Sequence, residues 1–313
     1  MLKARALDAA IWSALEVLFR HGLQFLVTVI VARLLVPADF GLFSIAMMLV
    51  AVASVIADGG LSYSLIQRKD VSHTDESTVF WLQCILGLFV ALGLYALAPY
   101  ISEFYDQSQL ILLIQSMAVV VLFGAIGAVQ VSLLTKHLNF QKQALSGFFA
   151  VLLSGLGTIF MAFQGFGVWA LVFQSVAMSV LNTSFLWLIG SWRPLCVIDI
   201  KSIDKLYGFG GYYFASNLLD VIYSRFYIVL VGKMYGVNAL GHYVNADNLQ
   251  QMPAGMLAKI FARVAFPVFS AVSHDKKKMK RGIQLAVRSM MFANVPVMFG
   301  MAVTADLIVD VLF

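Results

Sequence analysis

Residues 28–43 read TVIVARLLVPADFGLF, and 200 positions later residues 228–243 read IVLVGKMYGVNALGHY. Both stretches open on aliphatic residues, pass a cation (Arg33 or Lys233) and two bulky residues, and turn through a short polar segment. Each then reaches a glycine, Gly41 or Gly241, with an aromatic two places on, Phe43 or Tyr243. Each copy closes one long apolar run and begins the next. Both join the first two long apolar segments of what read as equivalent halves. That position predicts a duplicated membrane protein whose function lies between the copies.

Outward from this pair, the whole chain is apolar. Of its 313 residues 61% are hydrophobic and 12% charged, with a mean hydropathy of +0.89. A soluble domain averages roughly 45–50% apolar and about 25% charged, so the composition is that of a polytopic membrane protein. The net charge of +5 does not point to nucleic acid, because the basic residues lie in short connections between apolar runs. Cys84 and Cys196 sit in different segments without ligand spacing, so neither a disulfide framework nor a metal site is expected, and no cofactor. The opening MLKARALDAAIW lacks a small-residue cleavage site and reads as the start of a retained first span.

Apolar runs of helix length fall at about 9–35, 42–66, 78–98, 110–134, 144–163, 166–190, 208–232, 242–269 and 284–305. A helix needs roughly 20 residues to cross the hydrocarbon, so nine spans are expected. Barrel strands are excluded, since the runs far exceed ~10 residues and do not alternate. Lys and Arg alternate between successive connections without exception. Lys3, Arg5, Arg68, Lys69, Lys136, Lys142, Arg193, Lys201, Lys205 and the five of HDKKKMKR (274–281) make 14 on one side, against Arg33 and Lys233 on the other. The Lys/Arg bias then puts the N-terminus and the basic connections of a multi-pass protein in the cytoplasm.

Six crossings separate the repeat partners, so the two copies keep one orientation and an axis along the membrane normal relates them. The expected architecture is all-α, a two-lobe helical bundle of parallel repeats. Residues 1–190 form an N-terminal lobe of six spans, 191–207 a cytoplasmic linker, and 208–313 a partial C-terminal lobe of about three. The linker is expected to carry a short amphipathic helix through Leu195, Val197, Ile198, Ile203 and Leu206. A second half matching the first needs three more spans, so the chain reads as truncated after nine.

No metalloprotease, P-loop or hydrolase motif is present, and His21, His73, His137, His242 and His274 are scattered. An enzyme is not expected. The informative residues are ionisable groups at membrane depth, costly unless they face a cavity or a partner. Span one carries Glu16, Arg20 and Gln24 at i, i+4 and i+8, a polar stripe on one helix face. Its repeat partner carries Ser216, Asp220 and Ser224 at the equivalent positions, with Asn217 and Arg225 beside them. The stripes point to a water-accessible central cavity. A structural Glu16–Arg20 pair and an Arg225 that snorkels or pairs with Asp220 or Asp247 are the alternatives. Asp58 precedes Gly59 and Gly60 in span two, and pairing with an Arg or a place near the cytoplasmic mouth both suit it. Span eight joins Asp247 and Gln251 on one face to Lys259 and Arg263, around a Pro253 that should bend the helix.

The stretches VARLLVPADFGLFSIA (31–46), ADGGLSYSLIQRKD (57–70) and LGHYVNADNLQQMPAGMLAKIFARVAFPVFS (240–270) carry a resemblance that covers the whole chain. The chain resembles the polysaccharide transporter (oligosaccharide flippase) family of the multidrug/oligosaccharidyl-lipid/polysaccharide exporter superfamily, nearest its colanic-acid-exporter-like lipopolysaccharide biosynthesis members. The resemblance implies two six-helix lobes and alternating access. It implies flipping of an undecaprenyl-pyrophosphate-linked oligosaccharide, coupled to a proton or sodium gradient and working with polysaccharide assembly machinery. It also implies that cavity cations meet the pyrophosphate, for which Arg20 and Arg225 stand in position. Glu16, Gln24, Asp220, Asn217, Asp247 and Gln251 complete the expected binding set, with Glu16, Asp58 and Asp220 as coupling candidates. The alternative within transport is a small-molecule or multidrug cation-coupled exporter, in which the acids outweigh the arginines.

Overall fold

The computed structural model describes residues 22–24, 26–68, 70–137, 139–271 and 276–312, and every regular element among them is helical. In chain order these are α1 (Gly22–Ala32), α2 (Pro37–Asp58), α3 (Leu61–Gln67), α4 (His73–Tyr105), α5 (Leu110–Lys136), α6 (Phe140–Phe163), α7 (Val168–Ile189), α8 (Ile200–Ala271), α9 (Lys276–Val303) and α10 (Ala305–Leu312). Among the described residues, seven helices are long and apolar enough to cross a membrane. The protein is an all-α polytopic membrane protein.

The count differs from the nine spans expected for two reasons. Only the end of the first span, α1, is described, and it is short. Spans seven and eight run together as α8, whose backbone leaves helical geometry at Gly236 (φ 80°, ψ 172°). The apolar stretch Gly210–Gln251 has 42 residues, about twice what a bilayer needs, so the break at Gly236 is where two spans meet. A positive φ there suits glycine, which has no Cβ to clash.

Span two departs from expectation in the other direction. The run 42–66 is not one helix, because Gly59 (φ 57°) and Gly60 (φ 75°) are both left-handed and separate α2 from α3. The α4 helix is longer than the expected 78–98. A Ser72–Asp75 capping box starts it and Asp106, itself left-handed, ends it after 33 residues. The linker also differs from expectation. Residues 190–199 form no regular element, and the helix begins only at Ile200. Pro194 lacks an amide proton and pushes Arg193 toward extended backbone.

Packing divides the chain into two compact units, Met1–Gly241 and His242–Phe313. In the first, Val27, Val31 and Ala32 of α1, with Leu35 in the turn after it, pack on Ala162 of α6 and on Ala170 and Leu171 of α7. A second cluster joins Leu61 and Leu65 of α3, Val79 and Phe80 of α4, and Val129 and Leu133 of α5, capped by Trp187 and Trp192. The outer faces of α4 and α6 are apolar and exposed, with Phe89, Tyr100 and Phe160 among them, as lipid-facing surfaces are. The second unit holds the end of α8 with α9 and α10. Pro296 lies inside α9, and the apolar face through Leu285, Phe292 and Phe299 is exposed.

Candidate functional site

The two related junctions pack on each other. A Cβ at Gly41 would overlap the carbonyl of Val237, and a Cβ at Gly241 would overlap the carbonyl of Pro37. Positions 37 and 237 are themselves partners under the 200-residue shift, as are 41 and 241. Each glycine of the repeat therefore sits on its partner's turn, reciprocally, as a local two-fold relation requires. The approach is so close that only a residue without a Cβ fits on either side.

Around this contact the connections gather. The Lys233 ammonium donates to the Phe104 carbonyl at 2.5 Å, lies 3.5 Å from the Asp106 carboxylate and sits 5.0 Å from the centre of the Phe104 ring. A Cβ at Gly167 would lie 3.4 Å from Asp39 Oδ2. The turns that follow α1, α4 and α6 and the segment near Gly236 therefore share one end of the first unit.

The other described connections of the first unit meet at its other end. Gly60 and Gly210 touch backbone to backbone, and beside them the rings of Tyr63 and Tyr213 stack at 4.1 Å with 8° between their planes. The linker is strapped to the first turns of α4. Leu195 N donates to Ser77 Oγ (2.9 Å), Asp199 N to Thr78 Oγ1 (3.0 Å) and Trp81 Nε1 to the Leu195 carbonyl (2.8 Å). Trp192 Nε1 donates to Glu76 Oε2 (2.7 Å), and Arg193 donates to the carbonyls of Gly190 and Trp187 while lying over the Trp187 ring. Lys142 Nζ caps the end of α7 by donating to the Ile189 carbonyl at 3.1 Å. These contacts sort the described connections of the first unit into the same two groups that the Lys/Arg alternation separates.

The expected binding residues fall in several places. Glu16 and Arg20 lie outside the described residues, as do the side chains of Pro253, Lys259 and Arg263. Gln24 is half-buried in α1, and its Oε1 is buried with no hydrogen-bond partner among the described residues. Asn217 is half-buried on α8, while Asp220 and Arg225 are exposed on it, with no ion pair between them. Asp247 and Gln251 belong to the second unit and are joined, Gln251 Nε2 donating to Asp247 Oδ2 at 2.6 Å.

Asp58 sits at the break between α2 and α3. Its carboxylate accepts from Gly60 N (3.1 Å) and from Nε2 of the fully buried Gln83 (2.8 Å), which also donates to Ser62 Oγ at 3.0 Å. The acid thus closes the double-glycine turn from its own side chain and ties it to α4. Gln83 Oε1 has no partner among the described residues.

One feature escaped the sequence reading. A cavity of about 330 Å³ lies among α3, α5 and α7, lined by Ser62, Gly124, Ser132, Ser179, Asn182 and Thr183 together with apolar side chains. Its only sequence signal is small and hydroxyl residues at helical spacing on α5 and α7, a pattern shared with tight helix packing. Among the described residues, no three His, Cys, Asp or Glu side chains cluster as metal ligands.

Comparison with known proteins gives the relations of the chain. Residues 30–313 match a family model described as "Polysaccharide biosynthesis protein". The chain is 25% identical over 302 residues to succinoglycan biosynthesis transport protein ExoT of Rhizobium meliloti (strain 1021), covering 96% of this chain and 61% of that protein. It is 25% identical over 263 residues to teichuronic acid biosynthesis protein TuaB of Bacillus subtilis (strain 168), covering 83% of this chain and 54% of that one. To lipopolysaccharide biosynthesis protein WzxC of Escherichia coli (strain K12) it is 24% identical over 318 residues, covering 100% of this chain and 64% of the relative. The chain thus spans 54–64% of the length of these relatives. No solved structure matches it.

Proposed function

Because the chain belongs to the polysaccharide biosynthesis protein family, we propose that it is part of a carrier that moves a lipid-linked oligosaccharide across the bacterial inner membrane. The observation that carries this reading is the reciprocal seating of Gly41 on Val237 and Gly241 on Pro37. Two copies of one junction packed this way support two lobes built as parallel repeats, 1–190 and 208–313 joined by 191–207. Their opening helices, α1 and the start of α8, flank one path. The sequence gives each of the two spans a polar stripe, of which Gln24 on α1 and Asp220 on α8 are described, and such stripes suit a carrier more than a packed structural subunit. The relative named a transport protein, ExoT, supports the same direction.

On this reading the substrate is an undecaprenyl-pyrophosphate-linked oligosaccharide. Arg20 and Arg225 take its anionic head, because a guanidinium stays charged and its planar fork matches phosphate oxygens. Glu16 holds Arg20 when the site is empty. Gln24, Asn217 and Asp220 line the same path with neutral and acidic groups; Asp247 and Gln251, an amide–carboxylate pair, are the binding candidates of the second unit taken by itself. Glu16, Asp58 and Asp220 are the coupling groups for a proton or sodium gradient. Protonating Asp58 would weaken its bonds to Gly60 and Gln83 and so loosen the α2–α3 break. The basic connections lie on the cytoplasmic side, with the N-terminus.

The test is complementation of a strain lacking its own flippase, with Arg20→Lys and Arg20→Gln compared at equal membrane level. The expected result is surface polysaccharide restored by the parent protein, partly retained by Lys and lost with Gln. Unchanged export with Gln, or loss of both variants from the membrane, sinks the role of Arg20. No rescue by the parent protein sinks the transport reading itself.

A further inference from the structure

The cavity among α3, α5 and α7 has no part in the path described above, yet it is built for a ligand of a definite kind. We propose that it binds a neutral polyhydroxylated group, one sugar ring, an inference that rests on the carrier reading for the source of that ring. Its volume of about 330 Å³ is at the low end of the ~300–1,000 Å³ of small-molecule sites, room for one ring and not for a chain. Among the described residues, no Asp, Glu, Lys, Arg or His lines it. A charged group entering it would lose hydration without gaining a counter-ion, so its chemistry selects neutral ligands.

The hydrogen-bonding character narrows the class further. Ser132 donates to the Ala128 carbonyl (2.9 Å), Ser179 to Val120 (3.2 Å) and Thr183 to Phe123 (2.9 Å). A hydroxyl carries one proton and two lone pairs. With the protons committed to the backbone, these three side chains have only lone pairs to offer the cavity, and a ligand rich in O–H donors complements them. Asn182 supplies the opposite character. Its contact with Ser146 Oγ is 3.3 Å, longer than the 3.0 Å at which that hydroxyl donates to the Gln143 carbonyl, so the amide brings N–H donors as well as an acceptor to a ligand. Gly124 provides a floor with nothing within 4 Å of where a Cβ would stand. Ile66, Val131 and Leu186 add apolar wall for the C–H faces of a ring. Acceptors, one donor group and apolar wall around a single-ring volume are what a pyranose requires.

The test uses the full chain, purified in lipid nanodiscs, with methyl β-D-glucopyranoside as the neutral probe. A Ser179→Cys variant lacking Cys84 and Cys196 is alkylated with and without the probe. A saturating probe at ten times its dissociation constant should slow alkylation about tenfold by mass action. The anionic methyl β-D-glucopyranosiduronate and sodium chloride should leave the rate unchanged. The same probe should raise the melting temperature of the parent protein. Gly124→Leu, whose side chain enters open space, should melt like the parent and lose that shift. Absence of both protection and shift overturns the proposal. So does protection by the uronate or by sodium alone, since it makes the cavity a charged-ligand site. A protein that rescues export but shows no probe binding sinks this site and leaves the carrier reading. Probe binding by a protein that rescues nothing does the reverse.

Discussion

At the residue scale the decisive positions are those where one atom too many has nowhere to go. Gly41→Ala and Gly241→Ala each push a methyl into a backbone carbonyl, which cannot rotate away as a side chain can. Overpacking of this kind costs about 1–3 kcal/mol or more, and the expected outcome is a lower melting temperature in detergent for either variant. Gly124→Ala, with open space above it, should melt within error of the parent and serves as the control. Equal melting of Gly41→Ala and Gly124→Ala would mean that the junctions do not pack as described. Gln83 is the second such position. Gln83→Leu removes the donor to Asp58 and Ser62 and leaves a carboxylate oxygen short of a partner. We expect a loss of about 1–3 kcal/mol by chemical denaturation, partly recovered when Asp58→Asn is added. A neutral Gln83→Leu alone would place the burden of the turn on Gly60 N and Ser62 instead.

At the element scale the linker behaves as a strap. Its amides at Leu195 and Asp199 end on hydroxyls of α4, whose own protons go to the carbonyls of His73 and Thr74. The double variant Ser77→Ala, Thr78→Ala deletes both acceptors without touching the aromatic cluster of Phe80, Trp187 and Trp192. Two neutral hydrogen bonds at about 1 kcal/mol each correspond to a roughly thirtyfold faster local opening. Hydrogen exchange at 190–199 should accelerate by that order, while α5 and α7 stay protected. Unchanged exchange would show that Trp192 and Arg193 hold the strap by themselves. The same strap explains why hydrophobic residues at 195–198 make no helix. The Leu195 amide and carbonyl and the Asp199 amide already have partners on α4, which holds the backbone on either side of 196–198 away from helical bonding.

At the scale of the whole molecule the testable matter is sidedness. Cys196 is exposed, and Cys84 is half-buried within α4. On the proposal that the basic connections face the cytoplasm, a membrane-impermeant maleimide should spare Cys196 in intact spheroplasts and label it once the membrane is opened. Labelling from outside would turn the protein over. The sorting of connections by end would survive that result, because it rests on contacts within the first unit: Lys233 with Asp106 at one end, the linker with α4 at the other.

The sequence by itself determined the helical class, most of the span positions, the alternation of charge and the repeat at 28–43 and 228–243. These depend on hydrophobicity and chain order, which are local quantities written in the residues. It did not determine how the repeats meet. Glycine at 41 and 241 signals close approach without saying to what, and only the fold puts Val237 on one and Pro37 on the other. It read Asp58 as an acid in a span. Tertiary structure placed it on a double-glycine break with Gln83, 25 residues away, as its donor. The cavity of α3, α5 and α7 was hidden for the same reason. Serine, threonine and asparagine on three helices look like packing residues one helix at a time, and a void is a property of how helices stand apart, which no single segment encodes.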